Sequence, residues 1–339
     1  MIRVSVPARI NVVGSPTDAC EGAYATITAA VERRGGAEIA DATQPGGAPS
    51  EIEAAATAAL CRYVPGLAEA MAARPAAIRT WTDVPPSSGL GGSSVLLLAV
   101  LAALRAFYGL DARRWNDYVL AEIAQRAEEQ DLGVVCGFAD RYAPLFGGLA
   151  YVSYHGKLWH APLGEEPYAT YELLGVRAPA LSFVIATTGV TRHSGAVHGP
   201  MRARYLEERR RGDGALVALA RLMGETAWRG KIALLAHDLA GLGRQIDRNQ
   251  ELVDDMMAAC GFSAGAGAEV RDLVAAARRA GALGAKLTGA GGGGAVFALP
   301  PPDRVEPLAD ALRTHAARTG LPSEVFAVRV ADTGLRVDA

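Results

Sequence analysis

Apolar and polar residues alternate over residues 2–6 and again over 10–13, with Pro7 between them. That is the period of half-buried strands, and two are predicted. Alternation resumes over 25–32 as a third strand. Residues 41–50 are rich in Gly, Pro and small side chains and predict a loop. A helical period covers 51–64 and a strand period 78–84. Residues 95–104 are apolar without interruption, so the helix predicted over 94–108 and stopped by Gly109 is expected to be buried on every side. The run is too short to cross a bilayer. An amphipathic helix follows over 113–130, and a strand over 147–154 opens on a glycine pair.

The pattern restarts near 173–179. A buried strand is predicted over 180–187, then a polar loop and a basic helix over 197–211. Further helices are predicted over 215–223, 232–249 and 268–280. Strands at 285–288 and 295–299, a helix at 303–319 and a strand at 324–330 complete the reading. No internal repeat is visible. Two domains are expected, 1–175 and 176–339.

Composition adds little chemistry of its own. The 339 residues are half hydrophobic, enough for a sizeable core, and the net charge is only −2. Nothing in that balance points to nucleic acid or an acidic membrane, so a substrate anion must be met by local groups. The four cysteines, Cys20, Cys61, Cys136 and Cys260, have no metal-type spacing. Free thiols, no visible signal peptide and no spanning segment give the expectation of a cytoplasmic protein, a monomer or homodimer.

The chemistry is concentrated in four segments. Pro85-Pro86-Ser87-Ser88-Gly89-Leu90-Gly91-Gly92-Ser93-Ser94 joins a predicted strand to the apolar helix. Glycines let backbone approach a ligand, and a helix N-terminus offers unpaired N–H groups and a positive dipole end. This predicts a phosphate site, with serine hydroxyls available to Mg²⁺; the plainer reading is a tight capped connection. Near the N-terminus, Arg9 can hold phosphoryl charge and Asp18 can accept hydrogen bonds from substrate hydroxyls, or Asp18 is only a turn cap. The third segment runs from Glu128 through Cys136-Gly137-Phe138-Ala139-Asp140-Arg141 to Gly148. The fourth, Lys286-Leu287-Thr288-Gly289-Ala290-Gly291-Gly292-Gly293-Gly294, contains a Gly-x-Gly-x-x-Gly. It precedes a strand, whereas the dinucleotide fingerprint opens a helix, so that reading fails.

Taken together, these segments resemble the GHMP kinases, the family that includes galactokinase, homoserine kinase and mevalonate kinase. The first glycine turn is similar to the family's Pro-x-x-x-Gly-Leu-Gly-Ser-Ser-Ala, with Gly92 in place of the first serine and Ser94 in place of alanine. The last segment closely resembles Lys-x-Thr-Gly-Ala-Gly-Gly-Gly-Gly. The resemblance implies a two-domain α+β fold, an N-terminal α/β domain with a left-handed βαβ unit and a ferredoxin-like C-terminal domain, with ATP and acceptor meeting between them. It implies that Pro86, Ser87, Ser88, Gly89, Leu90, Gly91, Gly92, Ser93, Ser94, Gly291 and Gly292 bind the nucleotide. It assigns Asp140 to the acceptor hydroxyl, and Ser93 (or Ser94) with Glu128 (or its neighbour Glu129) to Mg²⁺. Arg9 then faces the transferring phosphoryl group.

For the acceptor, residues 14–18, 140–149 and 194–204 resemble the sugar-1-kinase branch that includes glucuronokinase. Heptose 7-phosphate kinases are also similar, and Asn249-Gln250-Glu251-Leu252 resembles mevalonate kinase. A sugar or uronic acid phosphorylated at its anomeric hydroxyl is therefore expected, bound by Asp18, Arg141, His198 and Arg202. Arginine forks suit a carboxylate or phosphate, although Arg202 also fits the solvated face of a basic helix. The alternatives are a mevalonate-type alcohol kinase, a heptose 7-phosphate kinase and a silent ligand-binding sensor on the same fold.

Overall fold

A computed structural model describes residues 1–20, 24–42, 48–86, 88–157, 161–190, 195–263, 265–289, 291 and 293–338. The first layer is a sheet built on two long strands, β1 (Ile2–Val13) and β2 (Ala25–Asp41). Val4, Val6, Ala8, Ile10 and Val12 alternate into the core. The expected break at Pro7 is not a break. Pro7 lies opposite Arg34, and the register shifts between Pro7 and Ala8, so a bulge carries the strand past the missing donor. β2 is likewise twice as long as its alternation suggested. Gly35 and Gly36 keep it running because a Cβ at either would strike Val95 or the Val4 carbonyl.

Helices α1 (Glu51–Tyr63) and α2 (Leu67–Ala73) follow, then β3 (Ala76–Thr82), α3 (Gly92–Phe107), α4 (Asp117–Arg126) and α5 (Ala139–Phe146), and strands β4 (Leu149–Ser153) and β5 (Thr170–Leu173). Ser50 and Glu53 form a capping box that starts α1. β3 pairs with the second half of β2 and β4 with its first half, both antiparallel. The chain between them therefore leaves and rejoins the same edge of one strand. Its central element is α3, which is buried from Val95 to Leu104 except at Leu96 and packs on β1 and β2. The helix is apolar all round because it has sheet on one side and α1, α4 and α5 on others.

The second layer begins at β6 (Ser182–Thr187) and continues through α6 (Gly195–Arg211), α7 (Ala215–Leu235), α8 (Leu239–Ala259), α9 (Ala268–Arg279), β7 (Gly284–Thr288), β8 (Ala295–Leu299), α10 (Val305–Thr319) and β9 (Val325–Arg329). Its sheet order is β7-β8-β6-β9, all antiparallel. With helices between β6 and β7 and between β8 and β9, this is the β-α-β-β-α-β plan of a ferredoxin-like domain. A last strand, β10 (Arg336–Asp338), returns to pair with β1, so the first sheet is not confined to residues 1–175.

Truncating a side chain at the centre of α3 tests this core. Leu101→Ala is expected to cost about 2–5 kcal/mol, read as a lower urea midpoint with an unchanged denaturant slope.

Candidate active site

β1 sets the site by its alternation. Arg9 and Asn11 stand two residues apart and so share one face of the strand. Arg9 reaches Asp140 on α5: its Nε donates to Oδ1 at 2.7 Å, and a second nitrogen lies 2.5 Å from Oδ2. Its remaining nitrogen donates to the Gly89 carbonyl at 2.5 Å. Asn11 Nδ2 adds a hydrogen bond to Asp140 Oδ1 at 3.3 Å. Burial by itself would raise the Asp140 carboxyl, but Arg9 and these hydrogen bonds outweigh it and hold the group below its ordinary value.

Asp18 stands beside this pair. Its Oδ2 accepts the backbone N–H of Ala139 at 2.9 Å, so a residue 121 positions away caps α5, whose own N-cap, Phe138, has no capping side chain. Burial, and next the nearby Asp140 charge, raise the Asp18 carboxyl.

The two glycine segments meet directly. Thr288 Oγ1 donates to the Gly89 carbonyl at 3.0 Å, and a Cβ on Gly89 would lie 2.2 Å from the Thr288 carbonyl oxygen. Only glycine, here with φ +68°, permits that contact. Leu90 is buried, and its carbonyl accepts the Arg9 N–H at 3.1 Å, fastening the turn to β1. Gly91, with φ +82°, then starts α3 without a side-chain cap, and its first-turn residues Gly92, Ser93 and Ser94 line a cleft.

Glu128 and Glu129 are on a single π-helical turn, Ala127–Asp131, and diverge. Glu128 receives the Ser94 hydroxyl at 3.2 and 3.3 Å and pairs with Arg141. Glu129 instead pairs with Arg202 at 2.6 Å and accepts the Cys136 N–H.

A cleft of about 640 Å³ joins these parts, lined among the described residues by Arg9, Asn11, Ser15, Asp18, Glu128, Asp140, Pro85, Pro86, Ser88, Gly89, Gly91, Gly92, Ser93, Ser94 and Gly289. Cys136 and His198 close its other wall. Among the described residues, buried polar atoms without a partner include Asn11 Oδ1, Ser88 Oγ and His198 Nδ1, all on residues of this cleft. Unpaired buried polar atoms are costly, so three on one cavity mark a place for a ligand.

Some expected residues are elsewhere. Arg141 is fully buried, donating to Cys136 Sγ at 2.9 Å and to the Gly137 carbonyl beside its pair with Glu128. Burial lowers its guanidinium to about 9. It does not line the cleft, and Arg202, engaged by Glu129 and the Cys136 carbonyl, does not either. A nearby glutamate pairs with each cation, Glu128 with Arg141 and Glu129 with Arg202. Gly291 packs against Met257 and Leu287, whereas Gly289 reaches the cleft. Ser87 and Gly292 lie outside the described residues. Asn11 was missed, although its strand spacing from Arg9 was the available signal.

Two oxygen donors suited to Mg²⁺ do meet, the Glu128 carboxylate and the Ser94 hydroxyl, and Ser93 lines the same cleft. Among the described residues no cluster of three His, Cys, Asp or Glu could hold a metal alone. The donor set therefore fits an ion that keeps water and takes its other ligands from phosphates.

A glycine turn opening a helix, three carboxylates and an arginine meet on one cleft of a two-domain α+β fold. The chain belongs to the GHMP kinase family: the family's N-terminal domain matches residues 52–148 and its C-terminal domain residues 231–318. It is 29% identical over 238 residues to probable glucuronokinase 2 of Arabidopsis thaliana, covering 68% of this chain and 59% of that one. It thus spans about three fifths of that glucuronokinase. It is 30% identical to the mevalonate kinase of Pyrococcus horikoshii, covering 76% and 67%. The crystal structure of Lactococcus lactis galactokinase complexed with galactose superposes with a TM-score of 0.73 at 19% identity, covering 99% and 95%.

His198 supplies a pH test. Burial lowers its imidazole to about 4, so the folded protein refuses a proton that the unfolded chain takes up near 6.5. Its contribution to stability is complete above 6.5 and is lost as pH falls toward 4. The difference in urea midpoint between wild type and His198→Gln is expected to shrink over that interval.

Proposed function

We propose that the chain transfers the γ-phosphoryl group of ATP to a hydroxyl of a small molecule, the anomeric hydroxyl of a sugar or uronic acid. The observation that carries this reading is Asp140, ionised and fixed by Arg9 and Asn11 in the cleft that the phosphate turn opens into. The described groups around it, Asp18, Asn11 and a neutral His198, suit an acceptor rich in hydroxyls. The similarity to a glucuronokinase supports the same class.

In this mechanism the first-turn N–H groups of α3, with Ser88 and Ser93, hold the phosphates. Asp140 accepts a hydrogen bond from the acceptor hydroxyl and aligns its oxygen with the γ-phosphorus. As the new O–P bond forms and the bond to the ADP oxygen breaks, the hydroxyl proton passes to Asp140. A depressed carboxyl is a weak base, so alignment is its larger contribution, and the proton moves late in a loose transition state. Three of the five guanidinium N–H donors of Arg9 are engaged, and the others are free to meet phosphoryl charge. Glu128, Ser94 and Ser93 would hold Mg²⁺, which when bound neutralises charge on the β and γ phosphates.

The test is ADP release from Mg·ATP with D-glucuronate, neutral hexoses, heptose 7-phosphate and mevalonate. Acceptor-dependent release with a sugar or uronate is expected. Release with mevalonate alone would keep the mechanism and overturn the acceptor. Binding of ATP without release under any condition would favour a ligand-binding sensor. Asp140→Asn should lower turnover by about 10²–10⁴-fold while ATP affinity, measured by calorimetry, stays within twofold of wild type; wild-type turnover in this variant would remove Asp140 from the mechanism.

A further inference from the structure

The turn that carries Asp18 is held from the other domain. Beyond Val13, the last β1 residue paired with β2, the main chain needs partners it no longer finds in the sheet. Asn249 of α8 supplies two. Its Oδ1 accepts the Gly14 N–H at 3.0 Å, and its Nδ2 donates to the Ser15 carbonyl at 3.1 Å. The side chain is fully buried and lies on the same helical stripe as Leu242, Ile246, Val253 and Met256. An amide in an apolar stripe costs stability unless it is satisfied, and here the turn satisfies it.

The contact propagates to the chemistry. Thr17 closes the turn, its N–H and Oγ1 both donating to the Gly14 carbonyl at 3.2 and 2.6 Å. Asp18 follows and holds the first N–H of α5, one residue before Asp140. On the other side α8 is fixed to β7. Gln250 Oε1 accepts the Leu287 N–H at 2.8 Å, and Asp247 Oδ1 accepts the Ala285 N–H at 2.9 Å. A single amide thus ties the acceptor carboxylate to the frame that carries the second glycine segment. The turn has little freedom to move elsewhere, since a Cβ on Gly14 would lie 2.3 Å from the Ala25 carbonyl oxygen.

We infer that Asn249 is a positioning residue that acts through Asp18, setting the acceptor-binding turn from the C-terminal domain; this rests on the kinase reading above. Asn249→Asp keeps the acceptor for Gly14 and loses the donor to Ser15. Asn249→Leu loses both and leaves two buried main-chain groups unpaired. With the best acceptor from the panel, N249D is expected to raise the acceptor KM by about tenfold or more while the ATP KM changes less than about twofold, as expected for loss of binding that is specific to one substrate. In a double-mutant cycle, Asp18→Asn, which retains an oxygen for the Ala139 N–H, should make N249D nearly silent. A residue with a general structural role would instead shift both KM values and add to D18N.

Hydrogen exchange reads the same contact without turnover. In N249D or N249L the peptide over residues 8–20 should exchange faster while that over 95–107 is unchanged. Equal KM shifts for both substrates, additivity with D18N, or unchanged exchange over 8–20 would each overturn the inference and leave the kinase reading standing. Absence of ADP release by the wild type with every acceptor would overturn the kinase reading and this inference with it.

Discussion

The site depends on one guanidinium. Arg9 is 3% exposed and touches Asp140 through two nitrogens and Gly89 through the third. It therefore sets three elements against one another: the strand it belongs to, the helix that presents the carboxylate, and the glycine turn that opens α3. Taking such a pair out of water carries a penalty that its Coulombic attraction offsets only with good geometry and further hydrogen bonds. Both are present, since the contact is forked and Asn11 adds a donor. Removing either partner leaves an uncompensated charge in the cleft. The arrangement also permits Asp18 to stand nearby, because two carboxylates in one pocket repel unless a cation is shared between them. Burial first, and the Asp140 charge second, raise the Asp18 carboxyl.

Much of this was legible in the sequence because the informative features were local. The phosphate turn is a strand, a glycine run and an apolar helix in succession, and each part has its own signature. The same holds for the strand after Gly294, which excluded a dinucleotide fingerprint. Contacts between distant segments left weaker signs. Pro7 read as a break because the bulge that accommodates it appears only in the pairing with the partner strand, where Pro7 lies opposite Arg34 and Ala8 opposite Val31. The helix holding Asp140 was not foreseen, since its cap comes from Asp18 and not from the preceding residues. Gly291 was placed at the nucleotide and Gly289 was passed over, because a glycine run does not reveal which member has a side chain packed against it.

Arg141 and Arg202 show the same limit from the side of charge. Each is adjacent to chemistry in the sequence, and a guanidinium there suggests a substrate anion. Whether it is available depends on where the neighbouring carboxylates point. Glu128 and Glu129 are consecutive on an α-helical pattern, and consecutive residues on an α-helix are separated by about 100°. The chain instead widens into a π turn at this place, a feature often found at functional sites. Glu128 then meets Ser94 and Arg141, and Glu129 meets Arg202.

That divergence bears on how the cleft meets a polyanion. With Arg141 and Arg202 paired to glutamates, the cationic side chain that lines the cleft among the described residues is Arg9, against the carboxylates of Asp18, Glu128 and Asp140. On the proposed kinase reading, a nucleoside triphosphate would not be held there by side-chain charge alone. The unpaired N–H groups at the start of α3 supply part of the need, because a helix N-terminus attracts anions without adding a full charge. On the same reading the remainder would come from Mg²⁺ entering with the phosphates, beside Glu128 and Ser94. On that proposed reading, the Asp18 and Asp140 carboxylates would then favour the metal-bound nucleotide over the free one.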